Sequence, residues 1–226
     1  MGAAGGESGG AFVDGEKDRT PQVYSNVLYY FARNRVLGIN MEYRQAPEFK
    51  YPSGAQDVGG AVAWARAHAA EYGGDPSRIF IMGHSAGAAH TGCYAYDASL
   101  HPAGGAGIAG HIVLSGRVRT EMRADNPNAK KVEAYCGSDP AMLVKASAVT
   151  HVGPASVATF VAFAEYENPL IDLHCSELVF RITSARGRAP RLMRLVGHNH
   201  TSIIAHFNTA EDALGREILD FIRTGK

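Results

Sequence analysis

Apolar runs alternate along the chain with segments whose apolar residues recur at helical spacing. The runs cover residues 36–43, 79–82, 111–114, 157–164 and 192–196. A continuous apolar run is typical of a parallel strand that is covered on both faces. Helices are predicted at residues 53–72, 88–96 and 170–184 and from Thr209 onward. Strands that alternate with helices predict an α/β fold, with a doubly wound, mostly parallel sheet and helices on both of its faces.

The helix predicted at residues 53–72 has the clearest boundaries. Ser53 and Gln56 have the spacing of a capping box, which would start the helix. Apolar residues from position 58 to position 69 follow the 3.6-residue period, and the glycines at 73 and 74 would end the helix. We therefore expect one face of this helix to pack against the sheet.

Length and charge narrow the class of protein. The chain has 226 residues, 46% of them hydrophobic, with 22 basic and 22 acidic side chains. This is the profile of a single globular domain covering residues 1–226, and it favours neither a nucleic-acid nor a membrane partner. The chain has no apolar run of transmembrane length, no signal-peptide pattern at its start and only three cysteines, so the expected location is the cytoplasm.

Residues 117–152 interrupt the alternation of strands and helices. This segment is polar and irregular and is punctuated by glycine and proline. We expect it to be an insertion within the domain, lying over the sheet like a cap and shaping a pocket.

Two patterns that suggest a cofactor or a metal do not have the necessary context. Residues 105–110 (GAGIAG) match a dinucleotide-binding fingerprint, but they precede a predicted strand, whereas the fingerprint follows one. His198 and His200 lie close together in the sequence, yet no third ligand accompanies them at metal-site spacing. The sequence therefore predicts neither a cofactor nor a metal.

The most informative segment is residues 83–87 (GHSAG), which lies between a predicted strand and a predicted helix. A serine on a strained strand-to-helix turn needs small residues two positions before and after it, because backbones crowd there. The N-terminus of the following helix directs amide N–H groups at an oxyanion formed beside the serine. Ser85 is therefore the predicted nucleophile.

A serine hydroxyl needs a base to accept its proton, and the base needs an acid to fix its tautomer. Downstream of Ser85, residues 165–169 (EYENP) and 197–202 (GHNHTS) each follow a predicted strand. Both segments lie at the carboxyl end of a strand, where open α/β sheets place their sites. The residues alone leave Glu165 and Glu167 as candidate acids, and His198 and His200 as candidate bases.

Several blocks together resemble the carboxylesterases and hormone-sensitive-lipase-like esterases of the α/β-hydrolase fold. The blocks are residues 9–12 (GGAF), 43–48 (YRQAPE), 51–52 (YP), 57–58 (DV), 73–79 (GGDPSRI), 83–87 and 197–202. The resemblance implies hydrolysis of small-molecule carboxylic esters through an acyl-serine intermediate, without a cofactor. Two alternatives stay open: a non-catalytic binding or interaction protein of the same fold, and an amidase or arylformamidase with the same triad.

The resemblance also implies roles for individual residues. Ser85 would be the nucleophile, Glu167 would take the place of the catalytic acid, and His200 would occupy the position of the base. The N–H of Ala86 would be one oxyanion donor.

The remaining oxyanion donors would come from residues 8–11 (SGGA), which stand where the family has an H-G-G-G or H-G-G-A loop. Gly10 and Ala11 are the donors that this match implies.

The start of the chain departs from the family pattern. Ser8 replaces the expected histidine, and the family's strand before that position would fall on residues 1–7, which are glycine-rich and disfavour a strand. The sequence therefore predicts an N-terminally truncated member of the fold that lacks the strand between residues 36–43 and the strand at 79–82. An exposed sheet edge would favour self-association, so a homo-oligomer is an open expectation.

Overall fold

The computed structural model describes residues 2–3 and 23–225, which form a parallel sheet with helices on both faces. The strands are β1 (Gly2–Ala3), β2 (Asn40–Met41), β3 (Phe80–His84), β4 (Gly110–Leu114), β5 (Ala158–Tyr166) and β6 (Arg191–Asn199). Their order in the sheet is β2-β1-β3-β4-β5-β6, and each neighbouring pair is parallel. This architecture confirms the predicted α/β fold class.

Helices connect most of these strands. They are α1 (Val23–Arg33), α2 (Ser53–His68), α3 (Ala86–Tyr96), α4 (Ala129–Cys136), α5 (Pro140–Lys145), α6 (Ile171–Arg186), α7 (Ser202–Ala205) and α8 (Ala213–Thr224). A 3₁₀ turn at Ala69–Tyr72 continues α2 to the predicted end of that helix. In the part of the chain that the structure describes, no helix is both long and apolar enough to cross a bilayer.

Alternate residues of the central strands build two separate cores. Phe80, Ile112 and Phe160 face a cluster that includes side chains of α1 and α8. Ile81, Val113 and Val161 face the opposite cluster, which includes side chains of α2, α3 and α6. The continuous apolar runs of the sequence are explained by this burial on both faces.

The position between β2 and β3, which was predicted to lack a strand, contains the two-residue strand β1. Gly2 and Ala3 pair with Asn40 and Met41 on one side, and with residues 82 and 83 of β3 on the other. The prediction of a missing strand is therefore wrong for these two residues, because strand pairing depends on backbone groups that even a glycine supplies. Of the strand predicted at residues 36–43, the described part of the chain shows two residues in strand pairing, Asn40 and Met41, which pair with β1.

The predicted capping box at the start of α2 is also wrong. Pro52 is the residue that precedes the helix, and the N–H of Gln56 donates to the Pro52 carbonyl at 3.0 Å. Ser53 is therefore already helical, and its buried hydroxyl has no hydrogen-bond partner. A capping side chain must belong to the residue before the first turn, which this serine is not.

Candidate active site

Ser85 occupies the sharp turn that joins β3 to α3. Its backbone has φ 53° and ψ −118°, a conformation that non-glycine residues rarely adopt and that costs about 1–3 kcal/mol. The turn is held to the end of β4: the Ser85 N–H donates to the Leu114 carbonyl at 3.1 Å, and the Ser85 carbonyl accepts from the Arg117 N–H at 3.1 Å. Backbone hydrogen bonds thus fix the serine at the carboxyl edge of the sheet.

Gly83 shows why this turn requires a small residue. A Cβ atom at this position would lie 2.4 Å from Thr91 Oγ1 and 2.6 Å from Ala88 Cα, both of which belong to α3. Any side chain would therefore push the helix away from the strand. The crowding inferred from the sequence is present at this position.

The structure brings the three sequence-predicted residues into one hydrogen-bonded chain. His200 Nε2 lies 3.0 Å from Ser85 Oγ, and His200 Nδ1 lies 2.8 Å from Glu167 Oε2. Because an ionised carboxylate can only accept, Nδ1 carries the proton and Nε2 presents its lone pair to the serine hydroxyl. This is the tautomer that a base acting on Ser85 needs.

Glu167 is buried, with 4% of its side chain exposed, yet three donors favour its charged form. Burial raises the pKa of this carboxyl, but hydrogen bonds from His200, from the Ser115 hydroxyl and from the Ala164 N–H outweigh that effect. The pKa of Glu167 therefore lies below its ordinary value, and the group is ionised at neutral pH.

Ser115 is a site residue that the sequence analysis missed. It follows β4 directly, is fully buried and has a φ of 47°. Its N–H donates to the Ala162 carbonyl at 2.8 Å, and its hydroxyl donates to Glu167 Oε1. The sequence could have indicated Ser115, because it directly follows a predicted apolar strand, as the segments with the candidate acids and bases do.

His84 hydrogen-bonds to the backbone of His200, the residue whose side chain contacts Ser85. Its Nε2 donates to the His200 carbonyl at 3.0 Å, and its Nδ1 accepts from the Tyr24 hydroxyl at 3.3 Å. Burial, together with the neighbouring His200, lowers the pKa of His84 to about 3. His84 is therefore a neutral donor that helps to hold the loop carrying His200.

The two rival candidates make other contacts. Glu165 accepts from the Gly197 N–H at 2.8 Å and from Arg194 at 3.2 Å, which ties the end of β5 to β6. His198 faces Ser202 and Glu211, at 3.2 Å from each. The histidine that hydrogen-bonds to the Ser85 hydroxyl is His200, and the carboxylate that hydrogen-bonds to His200 is Glu167.

Of the three predicted oxyanion donors, Ala86 lies among the described residues and the other two do not. Ala86 is the first residue of α3 and lines the cavity beside Ser85. Gly10 and Ala11 lie outside the described residues, so their role stays a prediction.

A cavity of about 410 Å³ opens at Ser85. Residues 117–152, which contain α4 and α5, supply much of its wall. Both aromatic and basic side chains line the cavity. The aromatic and basic residues are Tyr24, Tyr43, Tyr51, Tyr135, Arg44, Arg117, Arg119 and Lys131.

Two of these basic residues are held by acidic partners. Arg44 pairs with Asp57, at 2.8 Å between Nη2 and Oδ1, and Arg119 pairs with Glu177. Burial lowers the pKa of Arg117, whose guanidinium donates to the Pro169 carbonyl at 3.4 Å. The cavity is therefore lined by both apolar rings and positive charge.

Comparison with known proteins gives a consistent assignment. The BD-FAE family model matches residues 8–100. Carboxylesterase NlhH of Mycobacterium tuberculosis is 51% identical over 53 residues, which are 24% of this chain and 17% of that protein. The arylesterase of Saccharolobus solfataricus is 37% identical over 79 residues, 35% of this chain and 25% of the arylesterase. The aligned segments thus span a quarter or less of these curated relatives.

Solved structures show the same fold. A hyperthermophilic esterase from the archaeon Pyrobaculum calidifontis superposes with a TM-score of 0.76 and 20% identity, covering 99% of this chain and 75% of the esterase. The carboxylesterase EstE1 from a metagenomic library superposes with a TM-score of 0.68 and 20% identity, covering 87% of this chain and 71% of EstE1. The fold is that of the α/β-hydrolases.

The three kinds of match agree in what the chain resembles. The family model covers residues 8–100, the curated relatives are a carboxylesterase and an arylesterase, and the structural neighbours are esterases that share the α/β-hydrolase fold.

Proposed function

We propose that the chain hydrolyses small-molecule carboxylic esters, with Ser85 as nucleophile, His200 as general base and acid, and Glu167 as the carboxylate that orients His200. The observation that carries the proposal is the hydrogen-bonded sequence from Ser85 Oγ through the two ring nitrogens of His200 to Glu167, at 3.0 Å and 2.8 Å. This geometry meets the requirement for a positioned base and an acid that fixes its tautomer.

In the acylation step, Ser85 Oγ attacks the ester carbonyl carbon while its proton passes to His200 Nε2. The negative charge that develops on the carbonyl oxygen is stabilised by the Ala86 N–H and by the predicted Gly10 and Ala11 donors. Collapse of the tetrahedral intermediate breaks the bond to the alcohol, which leaves with the proton from His200. Glu167 stabilises the imidazolium throughout this step.

In the deacylation step, a water molecule gives its proton to His200 Nε2 and attacks the acyl carbon of the Ser85 ester. The second tetrahedral intermediate releases the carboxylic acid, and the proton returns from His200 to Ser85 Oγ. After the two steps, Ser85 and His200 are back in their starting protonation states, and the net reaction is ester plus water to carboxylic acid plus alcohol.

The cavity supports substrates of modest size. Its volume of about 410 Å³ falls within the range of about 300–1,000 Å³ that is usual for small-molecule sites. Aromatic walls favour an apolar acyl or alcohol group, so aryl and short-chain alkyl esters are the first substrates to test.

The decisive experiment uses a fluorophosphonate probe, which phosphonylates an activated serine, with intact mass as the readout. We expect one adduct on the parent chain and none on Ser85→Ala. Ser77→Ala is the matched control, because Ser77 is exposed and hydrogen-bonds to Asp75, and it should be labelled like the parent.

The absence of an adduct on a chain that circular dichroism shows to be folded would contradict the proposal and favour a non-catalytic binding protein. If labelling occurs, turnover of an arylformamide well above that of the matched aryl ester would instead favour the amidase alternative.

A further inference from the structure

We propose that His198, His206 and Glu211 form a binding site for a divalent transition metal ion, with Zn²⁺ as the best-matched ion. The site is independent of the proposed hydrolysis, since none of its three side chains contacts Ser85. Its ligand His198 stands two positions before His200 in the chain.

Three different elements bring the ligands together. His198 belongs to the end of β6, His206 directly follows α7, and Glu211 precedes α8. Glu211 Oε1 lies 3.2 Å from His198 Nε2, and Glu211 Oε2 lies 2.9 Å from His206 Nδ1. One ligand atom from each residue lies within 4.8 Å of the others.

These separations are close to what a metal requires. With metal–ligand bonds of about 2.0–2.1 Å in tetrahedral geometry, ligand atoms lie about 3.3 Å apart. The two histidine nitrogens, which lie within 4.8 Å of each other, would have to approach by side-chain rotation, and Glu211 and His206 are exposed enough to move.

A second observation is a small cavity of about 10 Å³ that all three side chains border. This volume is close to that of one water-sized sphere. The three side chains thus border a space of the size that a single water or ion occupies, together with apolar residues such as Leu195 and Ile203.

Each ring nitrogen of His198 has a hydrogen-bond partner. Ser202 Oγ lies 3.2 Å from His198 Nδ1 and accepts from the Asn199 N–H at 2.9 Å. In the structure Nε2 carries a proton towards Glu211, because an ionised carboxylate can only accept; a metal bound at Nε2 would displace that proton, and Nδ1–H would then donate to the Ser202 hydroxyl. Such an outer hydrogen bond is the usual way in which proteins orient a metal-binding histidine.

The donor set selects the class of ion. Two imidazole nitrogens and one carboxylate oxygen suit Zn²⁺ and neighbouring transition metals, whereas Ca²⁺ and Mg²⁺ prefer oxygen ligands. Two neutral histidines and one carboxylate carry one negative charge, so a divalent ion is partly neutralised. Exposure of His206 and Glu211 leaves room for a water molecule as the fourth ligand.

The test is calorimetric titration of the chelator-treated full chain with Zn²⁺. We expect one saturable site, with binding weakened at least tenfold in His206→Ala and in Glu211→Gln. Both changes lie on exposed side chains, so the variants should remain folded, which circular dichroism can verify. His68→Ala is the matched control, because His68 forms a similar pair with Glu71 at 2.9 Å on α2 and the adjoining turn, and it should bind like the parent.

A second readout identifies the ligands directly. Co²⁺ substitution should give a d–d spectrum without a thiolate charge-transfer band, which separates this site from binding at any of the three free cysteines. Unchanged Zn²⁺ affinity in both variants, or no saturable binding by the parent, would overturn the proposal.

Discussion

Ser115 donates a hydrogen bond from its hydroxyl to Oε1 of Glu167, the carboxylate oxygen that does not face His200. The other oxygen, Oε2, accepts from His200 Nδ1 at 2.8 Å. Each oxygen therefore has its own side-chain donor, which fixes the plane of the carboxylate. Ser115 acts on Ser85 only through Glu167 and His200, so it is a positioning residue.

Removing the Ser115 hydroxyl should lower the rate of ester hydrolysis without impairing substrate binding. A hydrogen bond to a charged group contributes about 1.5–3 kcal/mol, so we expect Ser115→Ala to lower kcat by roughly 10- to 100-fold with KM little changed. The pKa of Glu167 should also rise, because one donor to its charged form is lost. An NMR titration of the ¹³C-labelled Glu167 carboxyl group checks this.

Ser147→Ala is the control for the loss of a buried serine hydroxyl. Ser147 is also fully buried, and its hydroxyl donates to the Leu143 carbonyl at 2.8 Å and not to Glu167. If Ser147→Ala raised the pKa of Glu167 as far as Ser115→Ala does, the positioning role of Ser115 would be refuted.

His84 should hold His200 in place through the backbone carbonyl. Removing its donor in His84→Ala should lower kcat by about tenfold, because the loop that carries His200 loses a buried hydrogen bond. His84→Gln supplies an amide donor of similar reach and should recover part of the loss. Equal impairment of both variants, with equal thermal stability, would contradict a role for the hydrogen bond itself.

Much of the site could be predicted from the sequence because its residues follow recognisable strands. Ser85, Glu167 and His200 come directly after apolar runs, and parallel strands bring their carboxyl ends to one edge. The choice between Glu165 and Glu167 is a different kind of problem. It depends on the bulge between Ala164 and Tyr166, which a pattern of residues does not reveal.

Contacts between segments that are far apart in the sequence could not be predicted. The role of Ser115 depends on a neighbour 52 positions away, and the metal-site ligand Glu211 is distant from any motif. Helix α1 was also not predicted, although Val27 and Phe31 pack into the core beneath the sheet. Each of these features is fixed by tertiary packing and not by local spacing.

Gly83 and Gly60 offer a matched pair for testing the crowding at the strand-to-helix turn. Gly83→Ala places a Cβ 2.4–2.7 Å from atoms of Thr91 and Ala88, so we expect a loss of about 1–3 kcal/mol in the free energy of unfolding. Gly60 lies exposed in α2 with open space around it, and Gly60→Ala should stabilise the fold by about 0.5–1 kcal/mol. Urea unfolding midpoints measure both, and a neutral Gly83→Ala would show that α3 can move away from β3.

Acid should destabilise the fold through His111. Its ring lies fully buried between Thr91 Oγ1, 2.9 Å from Nε2, and the Tyr96 hydroxyl, 3.0 Å from Nδ1. Burial lowers the pKa of His111 to about 3, whereas an unfolded histidine has a pKa of about 6.5. Between these values the unfolded chain binds the proton and the folded chain does not.

The stabilisation that depends on neutral His111 is therefore complete above pH 6.5 and is lost as the pH falls towards 3, at up to about 1.4 kcal/mol per pH unit. His111→Gln keeps a hydrogen-bonding side chain but removes the titration, so its free energy of unfolding should fall less steeply between pH 6.5 and 4. Urea unfolding at several pH values gives the slopes, and measurement at pH 8 separates any packing defect of the variant. Parallel slopes for the variant and the parent would mean that His111 is protonated equally in both states, contrary to its burial.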